Sequence, residues 1–238
     1  MNRLIRLQLR NVFHNKLFYV CLGLCLLLNT GIPFVASIII KDLSPLMPVN
    51  EIVNMFNSTM SIMVVLFVVL FTCFDFSEGT TKNIIARGYS KVQLLFSKYI
   101  GSIVGVLSIY IVTSVVLLIM FSKNGITFDN IVLLKLLNGV IFTLTITIIY
   151  STLAFILEKN SAAIIVSLFV PLFVNGILLL VDTKFKNNIS KYWIDNVPTD
   201  FLKNPTIGNF GICILYCSIY IAIFLFLGIR FSKRKEIK

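Results

Sequence analysis

Six long apolar runs, separated by short polar breaks, account for most of this 238-residue chain. They cover about residues 17–40, 58–76, 99–121, 136–157, 162–182 and 210–229. Each is close to the ~20 apolar residues that an α-helix needs to cross a bilayer. A transmembrane β-barrel would instead alternate apolar and polar positions in pieces of ~10 residues. The pattern predicts an all-α, polytopic membrane protein with six transmembrane helices in a single transmembrane domain over 1–238. The first run is too long for the core of a usual signal peptide, and no small-residue cleavage pattern follows it, so it reads as a permanent span.

Residues 1–16, MNRLIRLQLRNVFHNK, show a different period. At about 100° per residue, Arg3, Arg6, Arg10 and His14 share one sector. Leu4, Ile5, Leu9 and Val12 lie opposite, with Gln8 the polar exception. This predicts an amphipathic elbow helix lying in the membrane interface before the first span. The simpler alternative is a basic flank that sets topology.

The break between the second and third runs holds more chemistry than a turn needs. Residues 75–99 read DFSEGTTKNIIARGYSKVQLLFSKY, with Asp75, Glu78, Lys82, Arg87, Lys91 and Lys98 as its charges. Thr80 or Thr81 can cap a helix, with Glu78 near its positive end. Lys82 to Arg87 gives about two turns, and Gly88 suits the left-handed position that ends them. Ser90 and Gln93 form a capping box that opens a second helix, which runs past Lys98 into the third span. The short helix presents Ile84 and Ile85 beside Lys82 and Arg87. Two readings stand level: a surface that docks in a groove on a cytoplasmic partner, or a re-entry helix lying on the membrane.

Composition agrees with the apolar pattern, at 58% hydrophobic and 13% charged residues. The net charge of +11 comes from 21 Lys and Arg against 10 Asp and Glu. No nucleic-acid motif accompanies it, and the charges fall between the runs, where they orient the chain and meet anionic lipid headgroups. With the N-terminus inside, fourteen Lys and Arg fall on the cytoplasmic side and seven outside, so both termini are expected in the cytoplasm. Cys21, Cys25, Cys73, Cys213 and Cys217 all lie in or at the ends of apolar runs, and the single His14 lies outside those runs. They read as buried thiols rather than as a metal site or a disulfide framework. No metal or catalytic constellation is expected.

Polar residues inside the runs are mild. Asp75, Glu158 and Asp182 are placed at span ends, within reach of water or headgroups, which argues against an ion-coupled carrier. Thr143, Thr147 and Ser151 follow each other at i, i+4 and i+8. They suit a path or a dimer seam, although hydroxyl-mediated packing is the commoner use. Gly101 and Gly105 form a close-packing motif, within one subunit or between two. Pro33, after Asn29, and Pro171, before Asn175, mark helix irregularities. Residues 183–209, with Trp193 beside Tyr192, read as a structured, partly re-entrant outer hairpin.

The order Asp75, Glu78-Gly79-Thr80, Gly88, Ser90 and Lys98 resembles permeases of the ABC-2 type, and the six runs and the basic N-terminal helix extend the resemblance over nearly the whole chain. The subgroup it looks most like is the small bacterial permeases that export, or give immunity to, bacitracin-like antibiotics, lantibiotics and toxic peptides. The resemblance implies that 77–98 is a coupling segment, with Glu78, Gly79, Thr80, Ile84, Ile85, Arg87 and Gly88 contacting an ATPase subunit. It makes Glu158 and Lys159 a second cytoplasmic contact, and it places a dimer seam on the first and fifth spans, near Asn29, Pro171 and Asn175. The chain holds no P-loop sequence, so it is expected to be no enzyme and to bind no cofactor itself. ATP and Mg would sit on a separate P-loop ATPase, present in two copies. A second permease copy or a homologous permease would complete the channel in the bacterial cell membrane, and the cargo would be a peptide. The rival is a membrane assembly or sensor protein that transports nothing.

Overall fold

The computed structural model describes residues 1–31, 49–123, 130–185, 188–203 and 205–236. The rest of the expected first span, including Pro33, lies outside the described residues. The described chain is helical, with no strand among its residues. Its elements are α1 (Asn2–His14), α2 (Lys16–Leu26, continued by a π-helical turn at Leu27–Gly31), α3 (Val49–Ser77), α4 (Thr80–Ala86), α5 (Lys91–Lys123), α6 (Asn130–Leu157) and α7 (Asn160–Phe185). A 3-10 turn (Ile189–Tyr192), α8 (Asn196–Lys203) and α9 (Ile207–Glu236) complete the chain.

Among the described residues five helices, α3, α5, α6, α7 and α9, are long and apolar enough to cross a membrane. This is the architecture of a multi-pass membrane protein. Among the described residues a sixth is reached by joining α1 to α2 and its π turn, which meet at a bend of 52°. Asn15 makes that bend. Its extended backbone ends α1, and its side-chain oxygen accepts the Leu17 N–H at 3.0 Å to start α2.

Two spans start earlier than the apolar runs suggest. α3 begins at Val49 rather than 58, because Ile52, Val53, Phe56 and Met60 continue its buried stripe at helical spacing. α6 begins at Asn130 rather than 136, and its added turns bury Val132 and Lys135. α6 is the central helix, packed on α3, α5, α7 and α9. α7 stands at the edge: Leu172, Phe173 and Leu180 are about 70% exposed, as suits side chains solvated by lipid.

The glycine motif of α5 serves contacts inside this chain. A methyl at Gly105 would lie 2.7 Å from the Phe67 ring and 3.2 Å from Val12, and one at Gly101 would lie 3.1 Å from Phe71. α1 therefore lies against α5 with Leu4, Gln8 and Val12 buried, while Arg3, Arg6 and Arg10 are exposed.

Candidate functional site

The segment between α3 and α5 is a defined unit. α4 is a seven-residue helix between two left-handed glycines, Gly79 at φ +68° and Gly88 at φ +86°. A side chain at either position would be strained. Gly88 donates its N–H to the Ile85 carbonyl at 2.9 Å and stops the helix. The capping box then opens α5: Gln93 N–H reaches Ser90 Oγ at 3.2 Å, and Ser90 N–H reaches Gln93 Oε1 at 3.1 Å.

The start of α4 departs from the sequence expectation. Neither threonine caps it; its N-cap is Gly79. Thr80 and Thr81 instead turn their hydroxyls back to the Asp75 carbonyl, at 3.1 and 3.0 Å. The last carbonyls of a helix lack intrahelical partners, and those of α3 draw these donors.

The two isoleucines also separate. Ile84 packs inward beside Leu94, Leu95 and Phe155. Ile85 is 37% exposed, with Lys82, Asn83, Arg87 and Glu78 exposed around it. The outward side of α4 thus exposes Ile85 and Ala86 together with charged and amide side chains. Glu158 and Lys159 form the turn from α6 to α7, beyond Phe155, whose ring meets Phe76 at 5.3 Å. Glu158 has a left-handed backbone, φ +59°.

Asp75 is the largest correction. It is 3% exposed, not open to water or headgroups. Its Oδ2 lies 2.7 Å from the ammonium of Lys98, itself 1% exposed, and accepts the Gln8 amide N–H at 2.9 Å. Lys98 also donates to the Phe71 carbonyl at 3.0 Å and sits 4.4 Å from the centre of the Phe71 ring. A buried charge survives only when paired and hydrogen-bonded, and both conditions are met here. One residue thus joins three elements: the Asp75 carboxylate holds α1 and α5, and its carbonyl holds the first turn of α4. The sequence singles out Gln8 as the polar exception of its helix and Lys98 within the 75–99 segment, but pairs neither with Asp75. The available signal was Gln8 itself, the one polar residue in the apolar sector of α1.

A second polar cluster lies near the opposite end of the spans. Tyr110 places its hydroxyl 3.0 Å from Asn57 Oδ1 and 2.9 Å from the Leu136 carbonyl, over Gly139. Lys135 is 3% exposed and donates to Asn54 Oδ1 at 3.3 Å. Lys135 and the Asp75–Lys98 pair stand near span ends, where the sequence puts them, but they are buried rather than open to water.

The seam candidates lie on separate helices. Thr143, Thr147 and Ser151 are buried in α6 inside this chain; Thr143 donates to the Val140 carbonyl and Thr147 to that of Thr143, at 2.8 and 2.6 Å. Asn29 sits in the π turn and donates to the Cys25 carbonyl at 2.8 Å. Pro171 lies within α7, and Asn175 accepts from Asn196 at 2.8 Å, tying α8 to α7. Tyr220 fastens the 3-10 turn to α9 through the Tyr192 carbonyl at 2.9 Å. All five cysteines are buried and free.

No curated protein matches the chain. One family matches residues 17–238, nearly all of it, and the chain belongs to that family, described as protein of unknown function (DUF2705).

Proposed function

We propose that this protein is the membrane permease subunit of a bacterial ABC exporter, with α4 as the helix through which a separate ATPase drives it. The observation that carries the reading is the build of α4: a short helix fixed by a left-handed glycine at each end, offering Ile85 amid Lys82, Arg87 and Glu78. An exposed apolar side chain on a segment with exposed charges suits a protein groove with polar walls. A passive turn between spans has no use for a clamped helix of this kind. The order of residues from Asp75 to Lys98, which resembles ABC-2 permeases, supports the same reading.

In this proposal the chain crosses the bacterial cell membrane six times, with the N-terminal helix as interfacial elbow and both termini in the cytoplasm. Two copies, or one copy and a homologous permease, pair with two P-loop ATPases that bind ATP and Mg. Glu158 and Lys159 make the lesser contact. The cargo class is an amphipathic or hydrophobic peptide, such as a bacteriocin, lantibiotic or cytolytic toxin, for which a mostly uncharged path is fitting. The chain supplies no catalytic group, and ATP binding by the partner shifts the seam between inward and outward access.

The test is to tag the C-terminus, purify the chain from its native membrane in mild detergent and identify what co-elutes. A stoichiometric P-loop ATPase, lost on Ile85→Asp with the permease still folded, is the expected result. A folded permease with no ATPase sinks the reading and favours a non-transporting assembly or sensor protein.

A further inference from the structure

The Asp75 hub has a mechanical consequence that holds whichever partner docks on α4. We infer that Gln8, Asp75 and Lys98 form a clasp that makes α1 and α4 one moving unit, so that a displacement of α4 is delivered to the basic face of α1.

The bonds define the path. Both threonine hydroxyls of the first turn of α4 end on the Asp75 carbonyl. The Asp75 carboxylate carries Gln8 of α1 at 2.9 Å and Lys98 of α5 at 2.7 Å. Gln8 is fully buried, and its Oε1 has no hydrogen-bond partner among the described residues. Its side-chain amide is therefore held through the Nε2–H bond to Asp75. An amide kept in an apolar contact at the cost of an unfilled acceptor is poorly explained by packing alone. Gly101 lets the joint close, since a methyl there would meet Phe71 at 3.1 Å and Gln8 Cβ at 3.5 Å. On the far side of α1, Arg3, Arg6 and Arg10 are exposed, where anionic headgroups attract them. Movement of α4 thus shifts three cations at the membrane surface, and a pull on those cations reaches α4. Gln8 is the positioning residue, because it alone of the three belongs to α1.

Spin-label distances on the full chain in lipid nanodiscs test this. The native cysteines are all buried, so labels go to introduced ones. One pair, Leu7→Cys with Ile85→Cys, spans the clasp; a second, Ile85→Cys with Lys233→Cys, joins exposed sites on α4 and α9. Asp75→Ala would strand a buried ammonium and risk misfolding. Gln8→Met keeps the side-chain length and leaves the ion pair whole. The expected result is a narrow α1–α4 distribution that becomes roughly twice as wide in Gln8→Met, while the α4–α9 distribution does not change. An unchanged α1–α4 distribution overturns the inference. So does equal broadening of both pairs, which would mark general loosening.

Discussion

Gln8 and Asp75, 67 positions apart, meet through an amide-to-carboxylate hydrogen bond of 2.9 Å in a site closed to water. The same carboxylate oxygen neutralises Lys98. An N-terminal helix that amphipathicity alone would leave on the membrane surface is thereby bonded to the end of α3, where α4 begins.

The ion pair should show strong coupling. Lys98→Met and Asp75→Leu each leave a buried charge without its partner, at a cost of about 3–5 kcal/mol. The double substitution removes both charges, so its thermal midpoint in detergent should lie above that of either single variant. Additive losses would show that the pair is not the unit described here.

Ile84 and Ile85 should behave oppositely. Ile84→Asp places a charge among Leu94, Leu95 and Phe155 and should lower the thermal midpoint markedly. Ile85→Asp alters an exposed position, so stability should stay within about 0.5 kcal/mol. If α4 is a docking helix, partner co-elution and partner-dependent ATP turnover should fall with Ile85→Asp. Equal stability losses would contradict the inward and outward assignment.

Gly139 makes room for a polar contact. A methyl there would collide with Asn57 Oδ1 and the Tyr110 hydroxyl. Gly139→Ala should destabilise by about 1–3 kcal/mol through overpacking and loss of the shared hydrogen bonds. Tyr110→Phe removes one of the colliding atoms, so Gly139→Ala should cost less in that background. Thermal midpoints of the four-member cycle measure this.

Asp195 gives a pH reporter outside the spans. Burial holds its carboxyl above the ordinary range, and the Trp193 indole N–H, 3.1 Å away, offsets part of that shift. The folded protein therefore keeps this proton more tightly than the unfolded chain does. The associated stability is complete below the ordinary carboxylate value of about 3.9 and is lost as pH rises through the raised value. Trp193 is the single tryptophan, so its fluorescence should titrate above that ordinary value. The transition should vanish in Asp195→Asn.

Much of the architecture was legible in the sequence because it depends on near neighbours. Span length follows from runs of apolar residues. The Ser90–Gln93 box and the Gly88 stop are bonds made within three residues, so their chemistry is written in adjacent letters. The start of α3 lies ahead of its apolar run because a stripe of every third or fourth residue persists through polar neighbours such as Glu51 and Asn54. Tertiary structure decided what local rules cannot. Asp75 looked exposed at a helix end until α1 and α5 closed over it. Gln8 looked like a flaw in an apolar face until a carboxylate from α3 faced it, and adjacent Ile84 and Ile85 became inward and outward once Phe155 and Leu94 arrived. The sequence by itself determined that the long apolar segments are helical and that α4 stops at Gly88 before a helix opened by Ser90, since these bonds span three or four residues. Packing alone determined which polar side chains are buried together, because their partners lie on other helices and burial exists only after those helices meet.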